Sequence, residues 1–141
     1  MSHRVLAVRN SAKLSVLRIY GKEPIDLFVN VSESEGLPIS IMEACGVGAP
    51  VLATDVGGTC EIVFNELNGR LLPANPTSDM IAQAITWLMD MPVGDFKRMR
   101  RASRCVWEDR FRAVENARQL IEVLQVGEFP ELAKTDEVLP Y

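Results

Sequence analysis

The chain has 141 residues, 48% of them apolar, eight prolines and a net charge of −4, which describes one modest soluble domain with enough apolar content for a core and argues against nucleic acid as its partner. Cys45, Cys60 and Cys105 are isolated, and His3 is the single histidine. They fit no metal spacing, no disulfide framework and no Ser-His-Asp set, and they imply a reducing, cytoplasmic setting.

Taken in order, Val5–Val8 is a short apolar strand, too brief for a leader core or a membrane span. Ala12–Tyr20 has helical spacing, with Leu14 and Leu17 inward, and Gly21–Pro24 is a turn. Ile25–Val31 is apolar and β-branched, the pattern of a buried strand. A loop, Ser32–Leu37, then leads into a helix from Pro38 to Val47. Pro38 suits its first position, because the missing N–H would have no partner there; Gly46, Gly48 and Pro50 end it.

Pro50–Thr54 continues as a second buried parallel strand. Asp55–Thr59 is a glycine-rich turn leading to a short helix through Val63, and Arg70–Leu72 follows the loop 65–69 as an edge strand. Pro76-Thr77-Ser78-Asp79 opens a helix whose apolar face is Ile81, Ala84, Ile85, Leu88 and Met89, with Trp87 at the rim. Asp95–Trp107 is a helix carrying Lys97, Arg98, Arg100, Arg101 and Arg104. A last helix, Arg112–Leu124, has Ala113, Ala117, Leu120, Ile121 and Leu124 as its buried stripe. From Gly127 onward, prolines and acidic residues make a loose tail. The expected organisation is therefore a partial domain over residues 1–126 and an acidic tail over 127–141. No internal repeat or low-complexity tract is present. Strands alternating with helices give an α/β fold, a partial Rossmann-like parallel sheet with helices on both faces.

In such sheets ligands bind beyond the carboxyl ends of the strands. The stretch Ser34-Glu35-Gly36-Leu37-Pro38-Ile39-Ser40-Ile41-Met42-Glu43-Ala44 occupies that position. Glu35 falls in the strand-to-helix turn. Glu43 falls about one and a half turns into the helix, and helical side chains lean back toward the N-terminus. Free amides at a helix start attract phosphate. Carboxylates repel phosphate, so they are suited to accept hydrogen bonds from sugar hydroxyls. A nucleotide sugar satisfies both requirements. The plainer alternative is a capping box, Ser32-x-x-Glu35 or Ser40-x-x-Glu43. Gly57 and Gly58 allow either a tight turn or close approach to a ligand.

Residues 26–69 resemble the nucleotide-sugar-binding domain of the retaining GT-B glycosyltransferases of family 4. The matching blocks are Asp26-Leu27-Phe28-Val29, Ser34-Glu35-Gly36-Leu37-Pro38, Met42-Glu43-Ala44, Gly48-Ala49-Pro50-Val51-Leu52-Ala53-Thr54, Gly57-Gly58-Thr59-Cys60-Glu61-Ile62-Val63 and Asn68-Gly69. The resemblance extends over roughly residues 5–125. It implies that Glu35 binds hydroxyls of the transferred sugar, that the amides of Gly36, Leu37 and Ile39 face its phosphates, and that Glu43 holds the ribose. It also makes Arg9, Asn10, Ser11 and Lys13 candidates for contact with the base, with a solvated loop as the equal alternative. The donor is a nucleoside-diphosphate sugar, with no cofactor or metal implied. The acceptor, a saccharide or lipid-linked sugar in polysaccharide or glycoconjugate synthesis, would bind through an N-terminal domain that this stretch does not include. The family's diphosphate-clamping Arg and Lys and its active-site His belong to that preceding part. No residue here is a convincing catalytic group.

A second expectation comes from a different class: a non-catalytic nucleotide-binding or interaction module, inactive without the clamp and the acceptor domain. A nicotinamide dehydrogenase is excluded, since no G-x-G-x-x-G follows an expected strand. The family resemblance raises peripheral contact of the basic helix with the inner membrane face, against a plain solvated helix face. A sheet edge without its usual cover implies self-association.

Overall fold

The computed structural model describes residues 25–126, with side chains through residue 122. The expected strand Val5–Val8, the helix Ala12–Tyr20, the candidates Arg9, Asn10, Ser11 and Lys13, and the tail from Gly127 lie outside the described residues. Within them the order is β1 (Phe28–Asn30), α1 (Ile39–Gly46), β2 (Val51–Thr54), a 3-10 turn (Gly57–Glu61), β3 (Gly69–Leu72), α2 (Ser78–Met89), α3 (Val93–Arg110) and α4 (Ala113–Val126). The three strands form one parallel sheet in the order β1-β2-β3. Phe28, Val29 and Asn30 stand opposite Val51, Leu52 and Ala53, and β2 pairs with β3 from Val51–Gly69 to Thr54–Leu72. The expected parallel neighbours are thus adjacent, with α1 between them in the chain.

Strand alternation assigns the two faces. Val51 and Ala53 join Ile41, Ala44, Cys45, Ala49, Ile62 and Val63 in a buried cluster, with Phe28, Trp107 and Phe111 packed on it. On the opposite face Leu52 and Leu72 meet Ala84 of α2, flanked by Leu27, Ile81 and Ile85. The sheet carries helices on both faces, and β2, buried at every position, is its centre.

β1 departs from the expected buried strand. Its burial is partial, with Val29 and Val31 40% and 46% exposed. Val29 stands opposite Leu52, but the cover from α2 falls on Leu52 and Leu72, and among the described residues it does not extend to Val29. Pro38 also sits one place earlier than expected. It is the N-cap of α1, with ψ of 100°, and its carbonyl accepts from the amides of Ile41 and Met42 at 3.1 and 3.3 Å. An extended ψ is incompatible with the first helical position, so the helix begins at Ile39.

α2 starts as its sequence implies, with Thr77 Oγ1 accepting from the Met80 amide at 3.3 Å. Its inner residues Ala84 and Leu88 are buried, and Trp87 is half-buried under the Arg70 guanidinium, 5.0 Å from the ring centroid. α4 forms, but its stripe is not buried: Ala113, Ala117, Leu120 and Ile121 are exposed, the last two by 58% and 54%. Periodicity placed these residues on one side of a helix; among the described residues no element covers that side. Leu124 lies beyond the described side chains.

The basic residues of α3 divide into two groups. Lys97, Arg98 and Arg101 are exposed. Arg100 donates to the Ile25 carbonyl at 2.6 Å, and Arg104 to the Gly46 carbonyl. Those two side chains are staples between elements and are not part of a purely solvated face. Among the described residues no helix is long and apolar enough to cross a membrane.

Candidate functional site

β1 ends at Asn30, and the loop that follows carries Glu35 to the carboxyl end of the sheet. Glu35 is half-buried, and its Oε1 accepts from Asn30 Nδ2 at 3.0 Å. Ser32 Oγ donates to Asn30 Oδ1 at 2.5 Å and lies within reach of the carboxylate as well. Ser32 first, and Asn30 second, hold the Glu35 carboxyl below its usual range, against a smaller opposing effect of burial. Glu35 is therefore an anion and purely an acceptor at neutral pH.

Two attachments fix the loop. Thr54, buried at the end of β2, donates its hydroxyl to the Ser32 carbonyl at 2.6 Å. From the other side the Gly58 amide donates to the Gly36 carbonyl at 2.8 Å. Gly57 has a φ of +54°, and a Cβ there would overlap the Glu35 carbonyl oxygen. The Gly57–Gly58 turn thus has a packing role: it closes against the backbone that presents Glu35. Leu37 lies over Gly58, where a Cβ would meet Leu37 Cδ1 at 3.0 Å.

Pro38, Ile39 and Ser40 bring α1 into the same end of the sheet. No side chain caps α1, and neither Ser40 nor Ser32 performs the capping-box exchange, so the plainer explanation of the glutamates does not hold. Among the described residues the amides of Gly36, Leu37 and Ile39 donate no backbone hydrogen bond. Leu37 and Ile39 are exposed, as is Gly36. Glu43 lies on the second turn of α1 and is half-buried. Glu35, Gly36, Leu37, Ile39 and Glu43 thus belong to one loop-and-helix unit. Arg9 and Lys13 lie outside the described residues.

Sequence reasoning overlooked Asn30 and Thr54 and read Ser32 only as a capping partner of Glu35. The available signal was Asn30 itself, an amide interrupting the apolar run from Phe28 to Val31. A shallow concavity of about 610 Å³ lies at the opposite end of α1, lined by Gly46, Val47, Gly48, Arg100, Arg101, Arg104 and Cys105. Its Arg100 and Arg104 are already engaged with the Ile25 and Gly46 carbonyls. The described residues contain no cluster of His, Cys, Asp and Glu able to hold a metal.

A parallel three-stranded sheet flanked by helices resembles the C-terminal domain of GT-B glycosyltransferases. The chain belongs to the family described as glycosyl transferases group 1, which matches residues 5–106. It is 36% identical over 70 residues to the lipopolysaccharide core biosynthesis mannosyltransferase LpsB of Rhizobium meliloti, covering 48% of this chain and 20% of that protein. The O-antigen biosynthesis glycosyltransferase WbnH of Escherichia coli is 39% identical over 75 residues, covering 53% of this chain and 21% of WbnH. These matches span about a fifth of each relative's length. Among solved structures, Anabaena Alr3699/HepE in complex with UDP superposes with a TM-score of 0.65 at 26% identity, over 72% of this chain and 28% of that one. HepE has also been solved with UDP-glucose. The C-terminal domain of the group 1 protein LpcC from Francisella tularensis shares the fold, with a TM-score of 0.60 at 20% identity, over 77% of this chain and 53% of that one.

Proposed function

We propose that this chain is the donor-binding part of a retaining, family 4 glycosyltransferase that moves a hexose from a nucleoside-diphosphate sugar to a saccharide or lipid-linked acceptor. In that reaction the anomeric carbon's bond to phosphate oxygen breaks, a bond to the acceptor oxygen forms, and the nucleoside diphosphate leaves. Glu35 accepts from hydroxyls of the transferred sugar and stabilises positive charge developing on its ring. The amides of Gly36, Leu37 and Ile39 face the phosphates, and Glu43 accepts from the ribose hydroxyls. Arg9 and Lys13 contact the base. The observation that carries this reading is the ionised Glu35, held beside amides that donate no backbone hydrogen bond among the described residues. The UDP and UDP-glucose bound by HepE supply the ligand class. No metal or cofactor enters the reading, and its setting is cytoplasmic, with the acceptor bound by a separate domain.

A second reading is a non-catalytic nucleotide-binding module. The two are separated by binding and turnover. Glu43→Gln should weaken UDP and UDP-glucose alike, by about 1.5–3 kcal/mol. Glu35→Gln should weaken UDP-glucose and leave UDP almost unchanged. Equal losses for both ligands in both variants would overturn this division. Glycosyl transfer by a protein that joins this chain to an acceptor domain would exclude the module reading.

A further inference from the structure

We infer that Asn30 is a positioning residue of this site: its amide holds Glu35 by Oε1 and sets the direction in which the carboxylate meets a ligand hydroxyl. The orientation of the amide follows from chemistry. An ionised carboxylate cannot donate, so the group facing Glu35 Oε1 at 3.0 Å is the NH2, and Oδ1 faces the Ser32 hydroxyl at 2.5 Å. Asn30 is itself rigidly placed. Its backbone is in register with Ala53 of the buried strand β2. The Ser32 carbonyl beside it is held by the buried Thr54 hydroxyl at 2.6 Å. Glu35 is gripped from the opposite side through Gly36, whose carbonyl accepts from Gly58 at 2.8 Å. The carboxylate therefore sits between a sheet terminus and a glycine turn, and Asn30 is the amide that holds its Oε1.

The strand pattern makes this amide hard to explain as packing. Phe28 and Asn30 share the face of β1 that meets Val51 and Ala53, where the cluster is apolar. An apolar residue would serve that face equally well; the amide is needed for the carboxylate. A simple brace for the loop and a positioning residue give opposite rankings for two substitutions. Asn30→Asp keeps the shape and puts a second carboxylate against Glu35, whereas Asn30→Ala removes both shape and donor.

The inference uses the proposed donor site only for its ligand readout, with UDP and UDP-glucose as probes. By ligand-observed NMR on the intact chain, Asn30→Ala should weaken UDP-glucose roughly tenfold, and Asn30→Asp more than that, with UDP held within about twofold. Asn30→Asp binding better than Asn30→Ala, or equal losses for UDP and UDP-glucose, would overturn it. A second readout is independent of any ligand. In the 15N-labelled chain, Glu35→Gln should shift the Asn30 side-chain amide signals and leave the backbone amides of Val51 to Thr54 in place. Unmoved Asn30 signals would overturn the positioning role even if UDP-glucose binds. Shifted signals with no binding of either probe would uphold the contact and count against the nucleotide-sugar reading alone.

Discussion

Gly57 lies so close to Glu35 that a Cβ on the glycine would overlap the glutamate's carbonyl oxygen and stand 2.9 Å from that of Gly36. The φ of +54° at Gly57 adds a second reason for glycine. Gly57→Ala should therefore cost about 2–4 kcal/mol of stability, from the strained φ and the displaced loop together. Gly58→Ala, whose added Cβ meets neighbours at 3.0 Å without a positive φ, should cost less. Urea unfolding of the two variants side by side checks the order; equal midpoints for Gly57→Ala and the parent chain would refute it.

Glu35 gives a pH dependence whose sign is fixed. Its folded pKa is lowered by Ser32 and Asn30, so in the window between the folded and the ordinary value the unfolded chain holds more protons. Unfolding then takes up a proton, and stability rises with pH. The stabilisation is complete above the ordinary value of 4.5 and is lost as pH falls through the folded one. Glu35→Gln lacks this titration. The difference in unfolding midpoint between it and the parent should shrink as pH falls from about 6 to about 3. A difference that grows on acidification would contradict the hydrogen-bond pattern around the carboxylate.

Asn68 is fully buried and fully used. Its Oδ1 accepts from the Phe64 amide at 2.7 Å, and its Nδ2 donates to the Ile62 carbonyl at 2.8 Å, with Cys45 Sγ at 3.8 Å. Asn68→Ala leaves a buried donor and a buried acceptor without partners and opens a void. It should destabilise the chain by about 2–5 kcal/mol. Thermal and urea unfolding provide the measurement, and a loss below about 1 kcal/mol would mean that water replaces the amide.

The three cysteines should react in order of access. Cys60 is exposed, Cys105 half-buried and Cys45 buried. Burial raises the Cys45 thiol above its usual range, against smaller opposing hydrogen bonds from Ser103 and Asn68. Timed alkylation with iodoacetamide, read by mass spectrometry, should modify Cys60 first and Cys45 only when the chain unfolds. Early modification of Cys45 would show that the cluster beneath α1 opens readily.

The parts of this fold legible in the sequence are those with a strong local pattern. β2 is a short apolar run between a proline and a glycine-rich turn, and α1 lies between Pro38 and Gly48. β2 stands where expected, and α1 differs by one residue at each end. The α4 stripe was equally regular, yet periodicity says which residues share a side and nothing about what covers them. Val29 failed for the same reason: a β-branched residue looks alike on a central and an edge strand. The two glutamates were visible through their family spacing. Asn30 and Thr54 were not, because Asn30 meets Glu35 only once the loop folds back and Thr54 reaches Ser32 from the next strand; Ser32 was legible only as a capping residue. Gly57 was noticed as a turn residue, but its contact, the Glu35 carbonyl, is distant in sequence and belongs to no motif.

One feature of the opposite end of α1 bears on how the site responds to distant change. Trp107 packs on Gly46 so that a Cβ there would meet the indole at 3.1 Å; Arg104 holds the Gly46 carbonyl; and Ser103 Oγ donates to the Ala49 carbonyl at 2.6 Å. Together these make α3 the fulcrum of a short stiff lever. The eight residues of α1 span about 12 Å from that fulcrum to Ile39. Three residues of α3 therefore bear on the site through their hold on the far end of α1.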